Sequence, residues 1–276
     1  MSKLLVKARK GNGRVAHVTP EVAGWSYVGF DLHRLTPGQT VSAETGSREV
    51  CLVFVTGKGR ASAGDMDLGV LGQRMSPFEG KPWSVYVPQG SNWSVTAETE
   101  LELAICSAPG LGGGLPARVI APVDLGQETR GKGTNTRYVT NILPESQPAD
   151  SLLVVEVITP GGHTSSYPPH KHDRDNLPAE SYLEETYYHR LNPSQGFAFQ
   201  RVYTDADADG RRELDEVMAV EDGDVTLVPK GYHPCAACHG YDLYYLNVMA
   251  GPKRTWKFHN APEHEWLMKE AGLAFR

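Results

Sequence analysis

Three histidines and a pair of glutamates are the residues of this 276-residue chain best suited to chemistry. His170 and His172 stand in PPHKHD, Glu184 and Glu185 open ETYYHR, and His233 follows a Pro-Lys-Gly turn in VTLVPKGYHPC. Side chains alternate faces along a strand, so His170 and His172 point the same way if their segment is extended. Two imidazoles on one face, a third from another strand and one carboxylate make a borderline-hard donor set. Such a set suits one divalent ion, zinc, manganese or iron, and leaves positions for exchangeable ligands.

The elements that must hold these groups read as strands. Glycine (29) and proline (19) are plentiful, and long amphipathic helical patterns are scarce. Short β-branched or aromatic runs such as EVCLVFVTG, WSVYVPQG, SLLVVEVITPGG, VTLVPKG and LYYLNVMAG end in turns, which predicts an all-β sandwich or barrel of antiparallel strands. APEHEWLMKEAGLAF is the best helix candidate, giving a short helix near the C-terminus. A faint internal repeat, REVCLVFVTGKG then GKPWSVYVPQGSNWSV against LEETYYHRLNPSQG then EDGDVTLVPKGYHPC, predicts two related domains, 1–125 and 126–276.

Bulk properties narrow the function. A net charge of −6 with pI near 5.9 and no basic block argues against nucleic acid as a partner. No apolar run approaches the roughly 18 residues of a membrane helix, and MSKLLVKARKGNG lacks the apolar core of a signal peptide, so a cytoplasmic protein without a membrane partner is expected. Cys51 and Cys106 fall in apolar runs and read as core; Cys235 and Cys238 form a C-x-x-C without a second pair to complete a zinc cluster. DADADGRRELDE matches a calcium-loop pattern, but Arg212 occupies its apolar position and both flanks look like strands, so a solvated hairpin is expected.

The order H-x-H, then Glu, then G-x5-P-x-G-x-H resembles the paired cupin motifs, carried in the second by Gly223, Pro229, Gly231 and His233. In cupins the glutamate follows H-x-H by three or four residues; here the excursion RDNLPAESYL intervenes, and it is expected to shape the substrate pocket. The parity of Glu185 with Tyr187 and His189 matches the usual placement of the ligand, so Glu185 is preferred to Glu184. His17, His33, His163, His189, His239, His259 and His264 lack such support and read as structural. The first half keeps the skeleton without the ligands: H-x-H is missing, Asn92 stands where the histidine would be, and Glu49 alone remains.

PPHKHDRDNLPAESYLEETYYHRLNPSQGFAFQRVYT, EVMAVEDGDVTLVPKGYHPC and YYLNVMAGPKRTWKFHNAPEHEWL closely resemble the 5-deoxy-glucuronate isomerase family of inositol catabolism, and GFDLHRLTPGQT and RGKGTNTRYVTNIL extend the resemblance over nearly the whole chain. It implies two tandem cupin jelly-roll barrels, related to the 4-deoxy-threo-hexosulose-uronate isomerases. It also implies conversion of an aldose acid, 5-deoxy-D-glucuronate, to the ketose 5-dehydro-2-deoxy-D-gluconate. Such a reaction needs a Lewis acid at the carbonyl and a group to move a proton, for which Glu184, Asp173 and Tyr187 are candidates. The substrate carboxylate calls for a cation, from Arg174, Arg137, Lys171 or Arg190, and Tyr167, Tyr182, Tyr188 and Tyr232 are available to its hydroxyls. A cupin dioxygenase and a non-catalytic sugar-acid-binding cupin are the competing readings, and exposed sheet edges make a homo-oligomer plausible.

Overall fold

β-branched and aromatic residues alternating with glycine turns fold here into strands almost throughout, as a computed structural model describing residues 2–270 shows, the side chains of 269 and 270 excepted. One seven-stranded antiparallel sheet runs in the order Leu5–Val6, Val225–Val228, Glu184–Asn192, Asp242–Ala250, Leu153–Thr159, Arg137–Leu143, Gly126–Arg130. A six-stranded sheet runs Arg118–Ile120, Trp83–Val87, Arg48–Thr56, Leu101–Pro109, Gly29–Leu35, Gly13–Val18. Each large sheet packs its inner face against a four-stranded one, which makes two β-barrels. Apart from Leu5–Val6, every strand up to Arg118–Ile120 belongs to the first barrel and every strand from Gly126–Arg130 onward to the second or its small appended sheets.

Three large apolar cores result among the described residues. Leu52, Phe54, Val85, Trp93 and Leu103 fill the first barrel, and Val155, Tyr187, Val202, Val220 and Met249 belong to the core of the second. The third lies between the barrels, where Cys51, Val53 and Ala104 of one large sheet meet Val154, Tyr188 and Leu246 of the other. Each such buried aliphatic or aromatic side chain contributes about 1.5–3 kcal/mol, so the two halves share a core and do not merely touch.

Polar clasps fix how that shared core is set. The two guanidinium nitrogens of Arg74 meet both oxygens of Glu156 at 2.9 and 2.8 Å, the Tyr244 hydroxyl adds a bond at 2.9 Å, and all of this is buried. Glu184 accepts the backbone N–H of Ser26 and Tyr27 at 2.7 Å and of Val28 at 3.1 Å. Glu49 does the converse, accepting the amides of Asp150, Ser151 and Leu152 at 2.7, 2.5 and 2.5 Å, with the Tyr86 hydroxyl at 2.7 Å. Glu49 is therefore not a remnant metal ligand: it faces the other barrel, while the next residue, Val50, fills its own barrel's interior. Asn92 is solvent-exposed.

Other expectations find their places. The DADADG segment is a hairpin between strands Phe197–Tyr203 and Asp215–Glu221, with Asp207 and Asp209 ion-paired to Arg211. All four cysteines are free, and Cys235 lies in the core of the second barrel. The expected terminal helix is present as Trp266–Glu270; its continuation lies outside the described residues. No helix among the described residues is long and apolar enough to cross a membrane.

A glutamine at position 49 or 184 would turn an amide NH2 toward backbone N–H donors, since both carboxylate oxygens are engaged. Charged hydrogen bonds contribute roughly 1.5–3 kcal/mol each. Glu49→Gln and Glu184→Gln should each lower the unfolding free energy by at least about 2 kcal/mol, read from urea midpoints at neutral pH; midpoints within error of the parent would show that the clasps carry no weight.

Candidate metal centre

His170 and His172 sit on opposite sides of the buried Lys171, on a short extended segment whose residues His170–Lys171 pair with His259–Asn260. The third histidine arrives by a turn. Gly231 has φ +89°, and a Cβ there would lie 2.4 Å from the Tyr203 carbonyl, so only glycine fits the bend that delivers His233. The ring-nitrogen donors of His170, His172 and His233 all lie within 4.8 Å of one another. Glu185, on the barrel-facing side of its strand, reaches His172 Nε2 at 3.1 Å and His233 Nε2 at 3.2 Å.

The hydrogen bonds behind the rings decide what this centre wants. His172 Nδ1 is 3.0 Å from the Leu183 carbonyl and His233 Nδ1 is 2.9 Å from the Gly231 carbonyl. A carbonyl only accepts, so each Nδ1 carries a proton and each Nε2 is the atom left for the centre, a lone pair when the ring is neutral. In His233 that lone pair faces the Glu185 carboxylate, acceptor against acceptor, and its buried Nε2 has no hydrogen-bond partner among the described residues, whereas His172 Nε2 hydrogen-bonds to the same carboxylate oxygen. Burial holds the His233 imidazole down to about 4 and lowers His170 well below its usual value, so both stay neutral at pH 7. Burial pushes His172 the same way, but the hydrogen bond and charge of Glu185 outweigh it and raise that pKa. With a divalent cation in place of the proton that His172 and Glu185 share, three imidazoles and one carboxylate would make up its donor set.

A cavity opens from the centre, lined by His170, Glu185, Tyr187 and Arg137 together with Asn247 and Trp256. Arg137 is half-buried. Its Nη1 donates to the Asn135 carbonyl at 3.0 Å and side chain at 3.1 Å, and among the described residues no carboxylate pairs with it. Desolvation lowers its pKa accordingly. Tyr187 stacks on His189 and its hydroxyl lies 2.9 Å from that of Ser166. Ser166 holds φ +51°, a left-handed conformation costly for a residue with a Cβ, and one that recurs at functional sites. Burial, followed by the Glu185 charge, keeps the Tyr187 phenol well above its usual pKa and hence protonated.

Of the expected site residues the structure brings together His170, His172, Glu185, His233, Tyr187 and Arg137. Glu184 is corrected: adjacent residues on a strand face opposite ways, and its oxygens are consumed by the clasp to the first barrel. Asp173 is likewise turned away, accepting from Lys171 Nζ at 2.6 Å and from the Gly231 amide at 2.9 Å. Lys171 is no substrate cation, because Asp173, Glu180 and Asp205 surround its ammonium. Arg174 is exposed and pairs with Asp205 at 2.8 Å, and the Tyr232 hydroxyl also donates to Asp205 at 2.8 Å. Tyr182 packs edge-on against Tyr27, and neither it nor Tyr167 lines the cavity. Arg190 joins Glu102 and Asp222 near the seam between barrels, and the Tyr188 hydroxyl donates to Glu102. The excursion 174–183 forms with Asp173 a hairpin, Asp173–Asn176 with Glu180–Tyr182, whose tip is exposed; it brings Glu180 to Lys171 and does not line the cavity.

A model of the KduI/IolB family matches residues 4–267. The chain is 57% identical to a 5-deoxy-glucuronate isomerase of Geobacillus kaustophilus over 98% of its own length and 96% of the relative's. It is 51% identical to the protein of that name from Halalkalibacterium halodurans, over 98% and 100% of the two chains. Among solved structures, an IolB-like protein from Salmonella typhimurium LT2 superposes with a TM-score of 0.92 at 55% identity, covering 96% of this chain and 98% of that one. A Bacillus subtilis oxalate decarboxylase, with a TM-score of 0.63 at 14% identity over 99% and 85% of the chains, shares the two-cupin fold.

Several cavity residues escape sequence reasoning. Asn247 is a buried amide inside the apolar strand LYYLNVMA, which is a readable signal; Trp256 and three cavity valines look like ordinary core. His189, taken as structural, backs the site. Its Nε2 lies 3.0 Å from Gln200 Oε1, and Gln200 in turn donates to the His233 carbonyl at 3.4 Å.

Burial depresses the His189 imidazole to about 4, below its unfolded value near 6.5. The unfolded chain therefore takes up this proton first as pH falls, and the folded state loses stability from about pH 6.5 down to about 4. One proton corresponds to about 1.4 kcal/mol per pH unit. Urea unfolding across this window should give a shallower pH slope for His189→Asn than for the parent, by close to that amount, whatever the absolute stabilities; equal slopes would place the acid sensitivity elsewhere.

Proposed function

Because this chain belongs to the KduI/IolB family, we propose from that premise that it isomerises 5-deoxy-D-glucuronate to 5-dehydro-2-deoxy-D-gluconate at the His170–His172–Glu185–His233 centre. One observation carries the reading of the site. A single cavity is lined by His170 and Glu185 of a donor set that wants a cation and by the half-buried guanidinium of Arg137, which no carboxylate among the described residues pairs. An aldose acid has the matching ends: a carbonyl flanked by a hydroxyl, and a carboxylate.

The three histidines and Glu185 would hold a divalent ion, whose contribution is Lewis-acid polarisation of a carbonyl oxygen and its neighbouring hydroxyl. Zinc, manganese and iron all suit the set. Arg137 takes the carboxylate. A partly desolvated charge without a counter-ion is unfavourable, and a bidentate carboxylate relieves that cost, so binding the acid and satisfying the arginine are one event. With the acid fixed at that end, the aldehyde end is confined to the histidine side of the cavity. There the Tyr187 hydroxyl, protonated and oriented by Ser166, donates to the oxygen on which charge develops as hydrogen moves between the first two carbons. The barrel wall around these groups keeps bulk water from the reacting carbons.

Two sets of variants test this. His172→Ala, His233→Ala and Glu185→Gln should lose bound metal, measured by elemental analysis of protein purified without added ions, and with it isomerisation. Glu184→Gln, though less stable, should keep its metal; stoichiometric metal in both histidine variants would remove the ligand assignment. Tyr187→Phe should retain metal and bind the acid with little change in KM, while kcat falls on the order of 10²-fold. An undiminished kcat would exclude the tyrosine from the chemistry.

A further inference from the structure

The far wall of the cavity is apolar where a sugar site is ordinarily polar. Val139, Val155 and Val157 line it, each almost fully buried. Cross-strand register gives their order. Tyr187 lies opposite Asn247, Asn247 opposite Val155, Tyr245 opposite Val157, and Val157 opposite Val139; Arg137 is two residues from Val139 and so on the same face of the same strand. A path along the inner face from Glu185 to Arg137 thus crosses first the strand of Asn247, then the strand of Val155 and Val157, and ends beside Val139. Val155 stands level with Tyr187 and Asn247, and Val157 and Val139 stand level with Tyr245 one step further along, toward Arg137.

Resting on the isomerase reading above, we infer that Val139, Val155 and Val157 are specificity-determining residues: they face the carbon next to the substrate carboxylate and accept it only as a methylene. A 5-deoxy uronic acid carries CH2 at that carbon, C5, and D-glucuronate carries a hydroxyl there. Against these valines the hydroxyl gives up its bonds to water, and the neighbouring Tyr245 hydroxyl is already bonded to Ser165. An apolar wall rejects an added hydroxyl by about 10²-fold. The wall therefore reads the missing oxygen, while Arg137 reads the acid that both compounds share.

The test compares kcat/KM for 5-deoxy-D-glucuronate and D-glucuronate in the parent and in Val139→Thr, Val155→Thr and Val157→Thr. Threonine keeps the branched shape and supplies a hydroxyl partner. D-Glucuronate closes to a ring in water, but that penalty belongs to the compound and is the same for every variant, so the change in the ratio isolates the wall. At least one threonine variant should narrow the parent's ratio by about tenfold, and D-glucuronate should bind that variant more tightly by calorimetry. Melting temperature and metal content accompany each measurement; where a threonine variant does not fold, alanine at the same position takes its place and should narrow the ratio by admitting water. Ratios within twofold of the parent in all three, or a parent that handles both acids equally, would overturn the inference. A folded, metal-loaded parent that leaves 5-deoxy-D-glucuronate unchanged would instead overturn the isomerase reading.

Discussion

A carboxylate taken out of water must be given donors, and two carboxylates here are given theirs by the opposite half of the molecule. Glu184 rests on three consecutive amides of the first barrel, Ser26 to Val28, and Glu49 on three of the segment leading into the second barrel's core strands, Asp150 to Leu152. Backbone amides are fixed in spacing, so each carboxylate sets the position of a segment and not just of a side chain. Moving one barrel relative to the other by an ångström would strand two buried charges at once. The apolar layer between the barrels and the Arg74–Glu156 pair follow from that docking, and the strand that bears the metal ligand is held at one of the docking points.

The same strand does both jobs because its side chains alternate. Glu184 faces the neighbouring barrel and Glu185 faces its own interior, one residue and one face apart. In the first barrel the corresponding pair is Glu49 and Val50: the clasp is kept and the ligand is an aliphatic core residue. That substitution explains how one half can be a filled structural barrel while its partner carries chemistry. Nothing in the docking depends on the metal position.

How much of this was legible depended on how local the determining contact is. The three histidines could be read because their geometry is set within a few residues, by the alternation around Lys171 and by the glycine turn before His233. Choosing Glu185 over Glu184 rested on parity, again a local property. The charged residues around the site were misread for the opposite reason. Lys171 and Arg174 look like free cations in sequence, and what neutralises them, Glu180 and Asp205, is brought by a hairpin tip and by a distant strand end. Arg137 carries no distinguishing local mark; it is singled out by what the fold withholds from it. The valine wall is invisible in sequence because an aliphatic lining a cavity and an aliphatic filling a core are the same residue in the same pattern.

The strand Leu5–Val6 leaves the first barrel's sequence to join the edge of the second barrel's sheet, beside Val225 and Thr226, and Lys7 pairs there with Asp224, 217 positions away. During synthesis this segment emerges long before its partner exists, so the second sheet cannot acquire that edge until most of the chain has been made. The pairing closes the chain into a loop that contains the whole first barrel and most strands of the second. A protein that seals itself in this order has no separable catalytic half: a fragment starting at the second barrel would keep every metal ligand and still present an open sheet edge, ready to pair with another copy.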